Sequence, residues 1–242
     1  MVDSARSMIP VLRERARDAE KNRAVPRETF EQFAEQGFFR IHQPERFGGA
    51  GWDIGMMVRL GAELGQGCGS SCWIFSNLAV QNWILGMNKS EAQEDVWGRD
   101  PLALVASSFP AKGGKVERTD GGLLANGLWS FASGVDFADW NNMQVFVPPA
   151  TGEGPPEHRF ALVPKTDYEI VDDWFSPGLA GTGSRSIKLD NVFIPEHRTI
   201  PSTELMGGPS PGSAINPGAL YRLPPLTLGT KAFSSPALGI AK

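Results

Sequence analysis

The chain has few of the residues that build metal sites and disulfides, with two cysteines and three histidines among its 242 residues. Cys68 and Cys72 would share one face of a helix, but two thiols without histidine or further cysteine partners make a poor metal site. Cysteines in the reducing cytosol rarely pair. We therefore expect two buried free thiols, no metal and a cytoplasmic protein.

A predominant charge and a long apolar run are also missing. The formal net charge is −4 and the basic residues are dispersed, which leaves no electrostatic footprint for nucleic acid or an anionic membrane. No basic start leads into an apolar run, so the sequence predicts no signal peptide. The most apolar segment, residues 73–87, is interrupted by Asn77, Gln81 and Asn82, which argues against a membrane span.

Common hydrolase and nucleotide-binding motifs are absent. The sequence contains no Gly-x-Ser-x-Gly elbow, so serine hydrolysis is unsupported. Residues 181–184, Gly-Thr-Gly-Ser, lack the strand, helix and third glycine of a dinucleotide-binding loop. His42, His158 and His197 fall in stretches rich in proline, glycine or glutamate, and we expect solvated side chains rather than catalytic bases.

The N-terminal part of the chain has the periodicity of helices. Apolar positions at helical spacing predict helices over residues 4–22, 27–36, 54–64, 73–87 and 90–97. The fourth of these is apolar nearly all round, so we expect it to be buried. Residues 1–100 are therefore predicted to form an all-α domain.

The rest of the chain changes to short apolar runs separated by turn residues. Candidate strands cover 102–107, 115–118, 142–147, 159–163, 168–171 and 185–195, with two further strands suggested by turn signals at Asp120-Gly121 and Asn126-Gly127. Short strands without helices between them predict an antiparallel β-barrel or sandwich over residues 101–205. Residues 206–242 are predicted to be a linker and the start of another helix. The expected fold class is α+β.

Residues 127–134, Gly-Leu-Trp-Ser-Phe-Ala-Ser-Gly, combine large rings with hydroxyls. Because side chains alternate along a strand, Trp129, Phe131 and Ser133 are predicted to share one face. That face would form a shelf for a flat, amphipathic ligand. On the alternative interpretation, the aromatic strand packs into the core of the barrel or sandwich.

Three motifs, in this order, resemble the acyl-CoA dehydrogenase superfamily. They are Pro-Glu-Arg-Phe-Gly-Gly-Ala-Gly at 44–51, the octapeptide at 127–134, and Gly-Thr-Gly-Ser at 181–184 leading to Asp-Asn-Val-Phe-Ile-Pro at 190–195. The Trp-x-Phe-Ala-Ser-Gly form and Ser107-Ser108-Phe109 are similar to the branch of flavin-dependent monooxygenases. The resemblance covers essentially the whole chain. Family members continue into a C-terminal four-helix bundle, so it implies a chain truncated after that bundle's first helix.

The resemblance implies a reaction and its participants. The branch includes oxygenase components of two-component systems, which use molecular oxygen to hydroxylate an aromatic or polycyclic substrate through a flavin C4a-hydroperoxide. Reduced FMN or FAD would come from a separate flavin reductase. The full-length protein would be a homo-oligomer, a tetramer.

The resemblance also assigns roles around the flavin ring. It places Phe131, Ala132 and Ser133 against the ring edge, with Ser133 near N5 as the catalytic residue. Trp129 either walls the pocket or belongs to the core.

Three further residues are implied as flavin contacts. Ser107 and Ser108 would approach the pyrimidine side of the ring, and Thr182 is a candidate contact from the turn at 181–184. Some hydroxylases of the branch carry a histidine on the strand that holds Ser107. None occurs here, which puts a phenol-activating role in doubt.

Two rival interpretations stay open. An acyl-CoA dehydrogenase with tightly bound FAD would share the superfamily motifs, although dehydrogenases more often have Trp-Ile-Thr or a similar run in place of Trp-x-Phe-Ala-Ser-Gly. A truncated chain would be catalytically incomplete, and would exist as a binding module or as an unstable fragment with an exposed apolar face.

Overall fold

The computed structural model describes residues 1–110 and 114–242, which form seven α-helices and eight β-strands. The helices are α1 (Val2–Ser7), α2 (Ile9–Asn22), α3 (Arg27–Glu35), α4 (Ile54–Leu64), α5 (Gly69–Gly86), α6 (Ser90–Trp97) and α7 (Pro225–Ile240). The predicted helix over 4–22 is divided at Met8. Pro10 explains the break, because it lacks the N–H that a continuous helix would use there.

Helix α5 lies at the centre of the molecule, and all of its residues except Gly69 and Trp73 are buried. It contacts α4, α7 and β1. The expectation of a buried helix is confirmed, although the helix begins earlier than the predicted start at 73. None of the helices in residues 1–110 and 114–242 combines the length and apolar character needed to cross a membrane.

The strands are β1 (Val105–Pro110), β2 (Lys115–Thr119), β3 (Gly122–Ala132), β4 (Trp140–Val147), β5 (Glu157–Pro164), β6 (Glu169–Val171), β7 (Arg185–Pro195) and β8 (Thr199–Pro201). They form a sheet in the order β6-β7-β3-β1-β4-β5-β8, with β2 on β3. The pairs are antiparallel except β1 with β4, which are parallel. The sheet is therefore mixed, and not antiparallel throughout as expected. After β3 the chain crosses to the other side of β1. Trp140 at the start of β4 pairs with Val105 at the start of β1, so the two strands run in the same direction.

Strand β3 is longer and less regular than predicted. The turn at Asp120-Gly121 is present and joins β2 to β3. The second turn predicted at Asn126-Gly127 is wrong, because β3 continues through it with a register shift against β7. The bulge is in β7: Ala125 pairs with Val192 and Gly127 with Leu189, which leaves an extra residue beside Asn191, whose φ is 51°.

One hydrophobic core joins the helices to the sheet, with Phe75 and Leu78 of α5 packed in the same cluster as Trp129 and Met143 of the strands. Cys68 and Cys72 are buried and free, as expected. Burial raises the pKa of the Cys72 thiol. The cysteines are therefore packing residues in this part of the molecule.

The predicted linker is a packed loop that precedes α7. Trp83 Nε1 donates to the Leu220 carbonyl at 2.8 Å, and the Tyr221 hydroxyl donates to the His42 carbonyl at 3.1 Å. Helix α7 then packs closely on α4 where Gly239 meets Gly65. These contacts hold α7 against the helical region, and α7 closes one side of the cavity described next.

Candidate functional site

A cavity of about 610 Å³ lies between α5, the sheet, the loop over 174–184 and α7. Its walls are mostly apolar, with a few amide and hydroxyl groups that converge on the space. Large cavities with that composition are where proteins bind small molecules. It is therefore the candidate site.

Helix α5 supplies the first polar wall. Trp73, Asn77 and Gln81 follow one another at intervals of four residues, so they lie on one face of the helix and line the cavity. Ser107 donates to Oδ1 of Asn77 at 3.2 Å, and Nδ2 of Asn142 donates to Oε1 of Gln81 at 2.9 Å. Among the described residues, no hydrogen bond is made by Nδ2 of Asn77 or Nε2 of Gln81. This wall therefore presents N–H donors to a ligand.

The end of β3 supplies an aromatic rim. Phe131 has φ of 63°, in the left-handed region, and the pairing with β7 shifts register between Trp129 and Ala132. This positive φ turns the Phe131 ring outward, and 56% of the residue is exposed. The ring meets Trp174 edge to face, with 6.1 Å between the centroids. A local break in strand geometry thus creates this part of the cavity.

A row of hydroxyls forms the second polar wall. Ser133 Oγ lies 2.7 Å from Ser184 Oγ, which lies 2.7 Å from Thr182 Oγ1. Thr182 Oγ1 donates to the Leu179 carbonyl at 2.9 Å, and Trp73 Nε1 donates to Ser133 Oγ at 3.0 Å. The three hydroxyl residues are at most 5% exposed, yet all line the cavity.

Ion pairs tie the loop over the cavity to Arg23, the residue after α2, and to Arg185 of β7. Arg23 Nη1 donates to Asp172 at 2.7 Å and to the Trp174 carbonyl at 3.1 Å. Arg185 donates to the same carboxylate at 3.1 Å and also pairs with Asp136. Hydrogen bonds from Arg23 and Arg185 lower the pKa of Asp172 to about 2. The network fixes the loop that carries Trp174 to the rim.

The structure brings four of the seven predicted flavin-site residues to the cavity: Ser107, Phe131, Ser133 and Thr182. The other three, Ser108, Trp129 and Ala132, are each at most 1% exposed and lie outside the lining. Ser108 follows Ser107 on a strand, so its side chain points to the opposite face. There its hydroxyl donates to Oδ1 of Asn141 at 2.7 Å.

The prediction that Trp129, Phe131 and Ser133 share one face is wrong. Trp129 is 1% exposed, and its Nε1 donates to the Gln144 carbonyl at 2.9 Å. The positive φ at Phe131 breaks the alternation on which the prediction depended. Of the two alternatives for Trp129, the structure has the core.

Sequence reasoning missed the α5 wall and two residues of the loop. Trp73, Asn77 and Gln81 interrupt an apolar helix at four-residue spacing, and this signal was available as a polar stripe on a buried helix. Ser184 was visible beside Thr182 in the Gly-Thr-Gly-Ser turn. Trp174 had no usable signal, because its approach to Phe131 depends on how the loop folds back.

His42 and His158 differ from the expectation of solvated loop residues, whereas His197 lies in the turn between β7 and β8, with Nε2 2.8 Å from Asp95 Oδ2. His42 is fully buried, its Nδ1 lies 2.8 Å from the Trp52 carbonyl, and burial lowers its pKa to about 4. His158 lies in β5, with Nε2 3.1 Å from Oε1 of Gln144. None of the three is among the residues that line the cavity.

The acyl-CoA dehydrogenase N-terminal domain family matches residues 2–100. Over 237 residues the chain is 36% identical to the oxygenase subunit HsaA of a flavin-dependent monooxygenase from Rhodococcus jostii, covering 97% of this chain and 61% of that protein. It is 35% identical over 244 residues to the oxygenase component of an FADH2-dependent resorcinol hydroxylase from a Rhizobium species, covering 100% of this chain and 59% of that protein.

The fold agrees with a solved relative. The structure superposes on the crystal structure of 3-HSA hydroxylase from Rhodococcus sp. RHA1 with a TM-score of 0.93 and 34% identity, covering 99% of this chain and 61% of that one. The chain therefore spans about three fifths of the length of these relatives. Residues 2–100 thus match the acyl-CoA dehydrogenase N-terminal domain family, and over nearly its whole length the chain is similar in sequence and in structure to oxygenase components of flavin-dependent monooxygenases.

Proposed function

We propose that this chain forms the flavin-holding part of the oxygenase component of a two-component monooxygenase, which hydroxylates an aromatic substrate with reduced FMN or FAD. The observation that carries the proposal is a cavity with one wall of amide groups, one wall of hydroxyl groups and an aromatic rim beside them. Asn77 and Gln81 present unpaired amide N–H groups, and Ser133 belongs to the opposite wall of hydroxyls. The named activities of the relatives support the same reaction class.

The residues fit a flavin ring system on chemical grounds. An isoalloxazine is planar, with carbonyl oxygens and ring nitrogens on one side and an apolar dimethylbenzene on the other. The donors of α5 match the carbonyl oxygens, and the rings of Phe131 and Trp174 match the apolar faces. A rigid wall of oriented dipoles needs no rearrangement when charge develops in the site.

In this proposal each side chain has a defined task. Ser133 is the catalytic residue that contacts flavin N5, and the backbone at Ala132 together with the Phe131 ring holds the ring edge. Ser107 lies at the pyrimidine side and Thr182 acts through the hydroxyl row. The reduced flavin supplies the activation of oxygen, while the protein orients the ring and excludes water.

The apolar remainder of the cavity suits an aromatic substrate. Ile84 of α5, Phe109 of β1 and Phe160 of β5 line it, and none of the lining residues that the structure describes is charged. Such a lining favours a flat, mostly apolar molecule and disfavours bulk water. The cavity therefore supports a phenol-type substrate over a charged one.

Flavin titration tests the proposal. Purified chain is titrated anaerobically with reduced and oxidised FMN and FAD, and binding is followed by fluorescence. We expect selective binding of a reduced flavin, weakened by Ser133→Ala and Phe131→Ala. Ser130→Ala is the matched control, because its hydroxyl lies 2.9 Å from Ser186 Oγ and outside the cavity lining. Tight binding of oxidised FAD would favour an acyl-CoA dehydrogenase, and binding of neither form would overturn the proposal.

The reaction itself is tested with the full-length protein. Supplied with a flavin reductase, it should hydroxylate a phenol or polycyclic phenol in an oxygen-dependent manner, detected by mass spectrometry of the product. Failure with a broad panel of phenols would contradict the substrate class while leaving the flavin titration to stand on its own.

We also propose the organisation of the working protein. Residues 1–100 would form a helical domain, 101–205 a β domain and 206–242 the approach to a further helical domain, in a cytoplasmic homotetramer served by a separate flavin reductase. Leu238 and Ile240 support association, because both are apolar and about half exposed at the end of α7. Light scattering of the chain tests this, and a monodisperse monomer would count against it.

A further inference from the structure

The hydroxyl row beside the cavity has only one consistent direction of hydrogen bonding. A serine or threonine hydroxyl carries one proton, so it donates one hydrogen bond and can accept two. Thr182 donates its proton to the Leu179 carbonyl, which can only accept. In the contact between Thr182 and Ser184, the donor must therefore be Ser184.

The same reasoning continues to the cavity. Because the proton of Ser184 is given to Thr182, Ser133 must be the donor in its contact with Ser184. Ser133 also accepts a hydrogen bond from Trp73 Nε1 at 3.0 Å. Its proton is thus committed and one lone pair is left. Towards the cavity, Ser133 can act only as a hydrogen-bond acceptor.

The local fold keeps this direction fixed. The Thr182 carbonyl accepts from the Gly134 N–H at 3.4 Å, which joins the turn to the end of β3. Ser133, Thr182 and Ser184 are each at most 5% exposed, so water has little access to their hydroxyls. Reversing the row would leave Thr182 Oγ1 and the Leu179 carbonyl oxygen 2.9 Å apart with no proton between them, and two acceptors at that distance repel each other.

Flavin chemistry gives this direction a consequence. N5 of an oxidised flavin has a lone pair and no proton, so it requires a donor. N5 of a reduced flavin carries a proton and requires an acceptor. We propose that the hydroxyl row makes the site selective for reduced flavin, with Ser184 and Thr182 as positioning residues that hold Ser133 as an acceptor. This inference rests on the proposed function, and assigns the oxidation-state preference to residues behind the one that contacts the flavin.

The test compares the affinities of the two oxidation states in four variants. Thr182→Val removes the end of the row at nearly constant volume, and Ser184→Ala removes its middle. In both, the Ser133 proton is no longer fixed away from the cavity. We expect the ratio of the Kd for oxidised FMN to the Kd for reduced FMN to fall about fivefold, the equivalent of one hydrogen bond. The midpoint potential of bound FMN should fall with it.

Two further variants separate direction from simple loss of contact. Thr182→Ser keeps the hydroxyl and should keep the wild-type ratio. Trp73→Phe removes a donor to Ser133, but leaves the direction of the row intact, so both affinities should change together and the ratio should not. Ser130→Ala, in the hydroxyl pair outside the cavity, is the control for general disturbance of β3.

The outcomes separate the inference from the proposed function. If the wild-type chain binds neither form of FMN and neither form of FAD, the proposed function fails and the inference fails with it. If it binds reduced FMN selectively and the ratio survives in both Ser184→Ala and Thr182→Val, only the inference is overturned. An equal loss of ratio in Trp73→Phe would also overturn it, because that variant preserves the direction of the row.

Discussion

The sealed core and the cavity wall use the same kinds of side chain in opposite ways. Trp129 in the core is 1% exposed and its N–H is bonded to a carbonyl, whereas Phe131, two positions later, is 56% exposed at the rim. His42 in the core has an Nε2 without a partner among the described residues. Ser133 at the cavity keeps one lone pair free in a lining open to a ligand.

The difference teaches how to interpret an unpaired polar atom. In a closed interior it lowers stability, because nothing replaces the water it lost. On a cavity wall it is a position where a ligand can complete the hydrogen bonding. Mutations should therefore affect stability on one side of this boundary and binding on the other.

The largest expected effect comes from replacing either aromatic residue of β3, Trp129 or Phe131, with alanine. Trp129→Ala should lower the free energy of unfolding by about 3–5 kcal/mol, since it leaves a large cavity in the core. Phe131→Ala should cost no more than about 1 kcal/mol, because the ring is already half exposed. Urea denaturation measures both values.

The flavin titration gives the reciprocal result for these variants. Phe131→Ala should weaken reduced-flavin binding, while any Trp129→Ala protein that remains folded should bind nearly as wild type. Equal losses of stability in the two variants would remove the distinction between core and rim on this strand.

The next effect in size concerns pH. Burial lowers the pKa of His42 to about 4, below its ordinary value near 6.5, so the unfolded chain binds more protons between these values. Stability should therefore rise with pH across this window and be lost as pH falls from 6.5 to 4, by about 3 kcal/mol in total. The bond from Nδ1 to the Trp52 carbonyl is made by the neutral ring.

His42→Asn tests this contribution, because an amide can replace the Nδ1 donor and does not titrate. The variant should have a flatter dependence of unfolding free energy on pH between 6.5 and 4 than the wild type. His158→Asn is the matched comparison: burial also lowers the pKa of that ring, but the ring is partly exposed, so the slope should change less than in His42→Asn. An unchanged slope in His42→Asn would assign the acid sensitivity to other groups.

Much of the fold could be predicted from local sequence. Helix α4 has the predicted bounds, Ile54–Leu64, because an amphipathic pattern and the Asp53 cap both specify it locally. The Asp120-Gly121 turn likewise depends only on residues that tolerate positive φ. The parallel pairing of β1 with β4 could not be predicted, because it depends on where the chain crosses after β3.

The site was less predictable than the fold. Ser107 and Ser133 could be selected because a family motif names them, and both line the cavity. Trp129 was misplaced because period-two alternation holds only while the backbone stays extended, and Phe131 leaves that region. Ser184 joins the site only through tertiary folding of the turn onto β3.

The third prediction contrasts two asparagines of α5. Asn82 points into the core, where Nδ2 donates to the Phe39 carbonyl at 2.8 Å. Asn82→Ala should lower the free energy of unfolding by about 2 kcal/mol, because it removes the donor to the buried Phe39 carbonyl. Asn77 faces the cavity, so Asn77→Ala should lower the free energy of unfolding by less than about 0.5 kcal/mol, since water can take the place of the amide.

Binding should reverse that order. Asn77→Ala removes an amide donor from the cavity wall and should weaken reduced-flavin binding about fivefold, whereas Asn82→Ala should leave affinity unchanged. Chemical denaturation and the anaerobic titration of the same two proteins provide both readings. A stability loss for Asn77→Ala as large as that for Asn82→Ala would show that Asn77 belongs to the core.

The smallest expected effect isolates the backbone reversal that separates the two regions. At Phe131, φ of 63° is unfavourable for any residue with a Cβ, so Phe131→Gly should be about 1 kcal/mol more stable than Phe131→Ala. Leu128, in the regular part of β3, is the matched control, since there glycine should be less stable than alanine by about 0.5–1 kcal/mol. The opposite signs at two positions on one strand would locate the boundary at the reversal itself. The same sign at both would mean that Phe131 reaches the rim without a strained backbone.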